Sequence, residues 1–208
     1  MGKTKQVSLA VNGGIGFGAK LKPKQLIALG QYLDEDQEIE LTTFQQLIIK
    51  VDEGKAEEAT ARLNDAGFSV YPVGPYVKSL RTCNFCKGAE EEGMPVAVEL
   101  NRRIAGKKVP FTLRPAYTGC PNACGEPLIN DIGVIKRDER YELYIGGKAV
   151  GEDAQAGILL KDCLEPDDLY DLVDKVLNVY RHHGRKRERM AKFVSRYGLD
   201  QIKKDVGI

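Results

Sequence analysis

Four of the five cysteines in this chain stand in two close pairs, Cys83/Cys86 and Cys120/Cys124, while Cys163 stands alone. Four thiolates suit a tetrahedral zinc or a cubane [4Fe–4S] cluster, since both take soft, anionic sulfur ligands. A zinc ribbon, or cysteines buried as small apolar side chains, are the plainer readings and stay open on spacing alone. Two details favour iron. Proline follows the first cysteine of the longer loop, Cys120-Pro121-Asn122-Ala123-Cys124, which is unusual for a zinc knuckle. Glycine, proline and asparagine around that pair also leave backbone N–H groups free to donate to cluster sulfurs.

Composition narrows the class. With 208 residues, 42% apolar and 29% charged, the chain is long enough for one or two packed units. A formal net charge of +1 argues against a dedicated nucleic-acid-binding domain. No apolar run approaches the ~20 residues of a membrane span. Met1-Gly2-Lys3-Thr4-Lys5 lacks the apolar stretch of a secretory leader, so a cytoplasmic location is expected, where a disulfide framework is not.

The first eighty residues predict a small α/β unit. Val7–Val11 reads as a strand, followed by the glycine-rich turn 12–18. Pro23 opens a helix with Leu26, Ile27, Leu29 and Leu33 at helical spacing. Two β-branched runs, 39–43 and 46–51, precede a second amphipathic helix over 55–66 and a strand over 68–71. The order βαββαβ is that of a ferredoxin-like half-domain. From about residue 81 a second α/β unit is expected, with a helix over 97–104 and a strand over 109–114. A turn then carries Cys120 and Cys124, and strands follow over 133–136 and 141–145. A long helix starts at Pro166, and a last one runs over 186–196. The glycine-rich turn fits neither common phosphate-loop pattern. It reads as a flexible connection, or as backbone approaching a large flat ligand.

The segment Thr118-Gly119-Cys120-Pro121-Asn122-Ala123-Cys124, with Asn130-Asp131-Ile132-Gly133 behind it, resembles the G-C-P-N-x-C…D-I-G signature of sirohaem-dependent nitrite and sulfite reductases. Leu41-Thr42-Thr43-Phe44-Gln45 resembles the family's L-T-T-R-Q segment, and Gly146-Gly147 its second-strand glycines. The stretch from Gly184 to Gly198 resembles the closing E-R…R-x-G helix. The resemblance covers most of the chain, as one copy of a unit that larger members carry twice. It implies an α+β chain with a ferredoxin-like half-domain over 1–80 and a sirohaem- and [4Fe–4S]-binding domain over 81–208.

The resemblance further implies that Cys83, Cys86, Cys120 and Cys124 hold the cluster, with Cys124 bridging to the sirohaem iron. Thr42, Thr43, Gln45 and Asn122 fall at positions that contact the macrocycle. Lys78 and Arg114 match cations that hold the substrate oxyanion, sulfite or nitrite, and the electrons would come from a ferredoxin-like donor. Pairing of two units in larger members makes a homodimer an expectation. No nucleic-acid or membrane partner is implied. The chain departs from the pattern in four places. Cys83 and Cys86 are spaced C-x2-C where most members have C-x5-C, Phe44 and Thr112 replace cations, and Ser8 and Ala10 stand where larger enzymes place arginine. These departures bear on the reductase activity more than on the cluster. An iron–sulfur electron carrier without that activity is the alternative from a different class, and a structural zinc module the third.

Other features have plain readings. His182-His183 mark a helix end among arginines, and Arg185–Arg189 a solvated helix face or a docking surface for an acidic donor. Glu90-Glu91-Glu92 mark a helix start. Cys163 is expected to be a partly buried small side chain. Tyr76 and Tyr117, which flank the cysteine pairs, either pack in the core or cover the cluster.

Overall fold

Alternation of Val7, Leu9 and Val11 with Ser8 and Ala10 is the period of a strand with one face on a core, and these residues lie in β1, Gln6–Asn12. The computed structural model describes residues 5–13, 20–83, 86 and 89–208. The glycine-rich turn beyond Gly13 and residues 84–85 lie outside them. The chain divides into two units, Met1–Val73 and Gly74–Ile208.

In the first unit β1 is followed by α1 (Pro23–Tyr32), β2 (Glu40–Leu41), β3 (Leu47–Asp52), α2 (Ala56–Asp65) and β4 (Ser69–Pro72). The sheet order is β2-β3-β1-β4, antiparallel throughout. That is the split βαβ arrangement the element order predicts. Leu29 of α1 and Ala59 and Leu63 of α2 close over Leu9, Val11, Ile49, Val51 and Phe68. Leu26 and Ile27 do not join this core; they are 53% and 60% exposed. Pro23 starts α1, and Gln25 anchors it by accepting from the Lys22 N–H (2.8 Å) and donating to the Gly67 carbonyl (2.6 Å).

The second unit is built on five strands in the order β5-β6-β7-β8-β9. These are β5 (Arg81–Thr82), β6 (Pro115–Thr118), β7 (Ile132–Arg137), β8 (Arg140–Ile145) and β9 (Ile158–Leu164). The first three run parallel and the last pairs antiparallel. Helix α3 (Ala89–Ile104) joins β5 to β6, and α4 (Pro166–His183), α5 (Met190–Tyr197) and α6 (Leu199–Val206) complete the unit. Leu169, Leu172, Val173, Val176 and Leu177 form the buried stripe of α4 that its spacing predicts.

Several expectations are corrected here. Residues 109–114 form no strand: Pro110 has no N–H to give a ladder. Leu113 instead makes an isolated bridge to Val77, next to the bridge from Lys108 to Tyr76, so this stretch pairs with residues 76–77 of its own unit. Helix α3 continues through Pro95 and begins eight residues before the expected start. The last expected helix starts at Met190 rather than Lys186, because Arg187 takes a positive φ of 63°. Arg185–Arg189 is therefore no solvated helix face. Glu188 is 5% exposed; it accepts from Arg196 Nε (2.7 Å), Arg196 Nη2 (2.8 Å) and the Arg185 N–H (2.8 Å). Arg196 is the main reason the Glu188 carboxyl is held below its ordinary pKa. Glu188→Gln is expected to destabilise the chain by about 2 kcal/mol, visible as a lower urea midpoint at neutral pH. An unchanged midpoint would show that the pair contributes nothing. Cys163 is exposed, not partly buried, and sits at φ 53° on the outer strand β9.

Candidate metal centre

Parallel strands require a crossover of a dozen or more residues. Between β6 and β7 that crossover is the segment 119–131, so the cysteine loop is the connection itself. Cys83 follows β5 directly, and Cys120 lies just beyond β6. The first cysteine of each pair therefore stands at the C-terminal end of one of two adjacent strands. Arg81 pairs with Ala116 and Thr82 with Tyr117, and the Cys83 N–H reaches on to the Tyr117 carbonyl at 3.4 Å.

The returning loop comes as close as a backbone can. A Cβ on Gly125 would stand 2.6 Å from the Tyr117 carbonyl oxygen, 2.7 Å from Thr118 Oγ1 and 3.3 Å from the Cys83 nitrogen. Only glycine lets the residue after Cys124 lie against the base of the first pair. The Gly125 N–H donates to Thr118 Oγ1 (3.1 Å), and Arg81 Nη1 meets Glu126 Oε2 at 2.8 Å. No disulfide joins the five cysteines; Cys83 is buried, Cys120 half-buried, and Cys86 and Cys124 exposed. Among the described residues, no three His, Cys, Asp or Glu side chains form a ready metal-ligand group. The donor chemistry and the loop packing nevertheless fit a sulfur-ligated metal group at this end of the sheet. Tyr117 belongs to the core: its hydroxyl donates to the Gly93 carbonyl (3.0 Å), its ring lies 6.3 Å from that of Tyr141, and burial raises its pKa.

Of the remaining expected site residues, Asn122 shares the cysteine loop and the others lie elsewhere. Lys78 bonds through its backbone N–H to the Leu113 carbonyl (2.9 Å), which brings it beside Arg114. Arg114 precedes β6, so both stand at the N-terminal ends of the strands. The length of Pro115–Thr118, about 13 Å at 3.3 Å per residue, separates them from the cysteine end. There the Arg114 N–H donates to Asp131 Oδ2 (2.9 Å), and Arg189 approaches the same oxygen at 4.0 Å. Asp131 is 2% exposed, and burial outweighs these favourable contacts, raising its pKa to about 6. Asn122 is exposed in the cysteine loop. Thr42, Thr43 and Gln45 lie together in the β2–β3 hairpin of the first unit, where Thr42 Oγ1 accepts from the Gln46 N–H (3.1 Å) and Gln45 takes φ 61°. Phe44, in the same hairpin, is 6% exposed.

Asp131, Arg189, Arg81 and Glu126 were not singled out as site residues from the sequence. Asp131 and Arg189 sit inside the D-I-G and E-R segments, so their motifs were the available signal. No local pattern joins Arg81 to Glu126.

Fold and site define a mixed α+β protein whose second unit sets Cys83 and the loop of Cys120 and Cys124 at one sheet end. Residues 77–208 match the model of the nitrite and sulphite reductase 4Fe-4S domain, and the chain belongs to that sirohaem-dependent nitrite/sulfite reductase family. It is 30% identical over 196 residues to the cobalt-factor III methyltransferase of Priestia megaterium, covering 92% of this chain and 36% of that protein. It is 27% identical over 142 residues to the assimilatory-type sulfite reductase of Nitratidesulfovibrio vulgaris, covering 68% of this chain and 65% of that protein. Its fold is similar to that of the Mycobacterium tuberculosis NirA protein, with a TM-score of 0.74, 16% identity, and coverage of 97% of this chain and 39% of that one. The chain thus spans less than two thirds of each of these proteins. Among the described residues, no helix is long and apolar enough to cross a membrane.

Proposed function

We propose that the chain is a redox protein in which Cys83, Cys86, Cys120 and Cys124 hold a [4Fe–4S] cluster that works with sirohaem to reduce a small oxyanion, sulfite to sulfide or nitrite to ammonia. The observation that supports this reading is the position of Cys83 and Cys120 at adjacent parallel strand ends, with Gly125, directly after Cys124, packed against Cys83. The cluster supplies single electrons, taken from a ferredoxin-like donor. In this reading residues 81–208 carry the cluster. The half-domain, residues 1–80, offers Thr42, Thr43 and Gln45 to the macrocycle; Asn122 adds a contact and Cys124 the bridging thiolate. Lys78 and Arg114 are the cations assigned to the oxyanion. A cytoplasmic location and a homodimer belong to the same proposal, and a monomeric mass in light scattering would remove the dimer.

A second reading, an iron–sulfur electron carrier without oxyanion reduction, is favoured by two observations. Lys78 and Arg114 stand at the strand ends opposite the cysteines, and Phe44 puts a buried apolar ring where the resemblance implies a cation. The similarity to a protein named as a methyltransferase also fits a unit that serves other chemistry.

The deciding experiment is the visible spectrum of protein purified anaerobically from cells that make sirohaem, with iron, zinc and sulfide analysis. Tetrapyrrole bands with about four cluster irons and one further iron support the reductase reading. Cluster absorption alone supports the carrier, and zinc without acid-labile sulfide overturns both. Cys120→Ser is expected to lose most of the iron and sulfide, because a serine oxygen is a far harder ligand than thiolate. Full retention of iron and sulfide in that variant would remove Cys120 from the ligand set.

A further inference from the structure

The strand pairing that joins the two cysteine pairs is short. Strand β5 contributes only Arg81 and Thr82 to it. Past Thr82, the Cys83 N–H makes a 3.4 Å bond to Tyr117, long for an amide. A further tie among the described residues runs from Arg81 Nη1 on β5 to Glu126 Oε2 behind the cysteine loop, at 2.8 Å. Arg81 stands two residues before Cys83 and Glu126 two after Cys124, so the ion pair closes the frame in which the four cysteines sit.

The backbone at Glu126 is arranged to aim this side chain. Its φ of 59° and ψ of 40° are left-handed, a conformation glycine or asparagine adopts at lower cost. The Glu126 N–H is held by the Ala123 carbonyl (2.9 Å), and its carbonyl accepts from Asn130 Nδ2 (2.8 Å). With both backbone groups engaged, the direction of the Glu126 Cα–Cβ bond is set. The Arg81 side chain is 21% exposed and that of Glu126 47%, so the pair is partly shielded from water.

We propose that Arg81 and Glu126 are positioning residues for the cysteine centre: their ion pair latches β5 to the Cys120–Cys124 loop and balances the charge beside the metal group. This rests on the [4Fe–4S] reading. A thiolate-ligated cluster is anionic and becomes more so on reduction, so a nearby unbalanced cation favours the reduced form and an unbalanced anion opposes it.

The test compares Arg81→Met, Glu126→Gln and the exchange Arg81→Glu with Glu126→Arg in the full, cluster-loaded chain. Two quantities are read: the rate of iron release to an added chelator, and the midpoint potential in a redox titration. Each single variant is expected to release iron about three- to tenfold faster, and the exchange to return within about twofold of the native rate. The potential is expected to rise in Glu126→Gln and fall in Arg81→Met, opposite directions that mere loosening of the fold does not produce. Native release rates and potentials in both single variants would overturn the latch while leaving the cluster reading intact. An exchange variant as leaky as the single ones would also overturn it. A native chain without iron or sulfide overturns the cluster reading and the latch with it.

Discussion

Gly133→Ala is expected to destabilise the chain by about 4 kcal/mol, the largest effect of any single methyl group considered for this protein. The added Cβ would stand 2.1 Å from the Pro127 carbonyl oxygen, 2.7 Å from its carbon and 3.1 Å from the Pro127 Cβ. Neither side can give way. Gly133 is in β7, the middle strand, paired with Ala116 on one side and Tyr144 on the other. The 3-10 turn Pro127–Ile129 is pinned from beyond, since the Gly157 N–H donates to the Leu128 carbonyl at 2.6 Å. The strain would pass along the crossover to the cysteine loop, so weaker iron retention should accompany the lost stability. Gly30→Ala is the matched control: an added Cβ meets nothing within 4 Å in helix α1, and the variant is expected to gain about 0.5–1 kcal/mol. Urea unfolding of both variants checks the prediction, and a loss below about 1 kcal/mol for Gly133→Ala would overturn the steric argument.

The second large effect concerns pH. Burial raises the Asp131 pKa from 3.8 to about 6, so the folded chain holds this proton more tightly than the unfolded chain does. Its contribution to stability is therefore greatest in acid and is lost as pH rises through about 6. Between pH 4 and 7 this one group removes about 2 kcal/mol of stability. Asp131→Asn keeps an acceptor for the Arg114 N–H and cannot ionise. The stability difference, native minus variant, is expected to fall by about that amount as pH rises from 4 to 7. A difference that stays flat would show that Arg114 and Arg189 already neutralise the carboxylate. Acid-sensitive pairs such as Glu188 with Arg196 pull the other way, but they are common to both chains and leave the difference unchanged.

Within the first unit most of the fold was legible, because its signals are local. Alternation in 7–11, Pro23 at a helix start and the amphipathic run over 55–66 each act within a few residues and agree with one another. In the second unit the misplaced elements are those whose local signal opposed the tertiary outcome. Pro95 reads as a helix boundary, yet α3 runs through it. Residues 109–114 read as a strand, yet bond to the chain before β5 as isolated bridges. Helix α6 was not anticipated because Gly198 reads as an end, although a new helix starts directly after it.

For the site, the residue types and their motif order were visible in the chain: two cysteine pairs, the glycine behind the second, and the D-I-G and E-R segments. Their spatial sorting was not. Whether Arg114 stands beside the cysteines or at the far end of β6 depends on which strands run parallel and where the crossover returns. That is settled by pairing between segments distant in sequence. The same holds for Arg81 with Glu126 and for Asp131 with Arg189, each pair joined through space. By itself the sequence determined the chemistry available, soft sulfur ligands in an α/β unit that follows a βαββαβ unit, because side-chain identity and local periodicity are properties of the chain. Only the tertiary structure decided which groups share an end of the sheet, because strand direction and burial arise when distant segments pack.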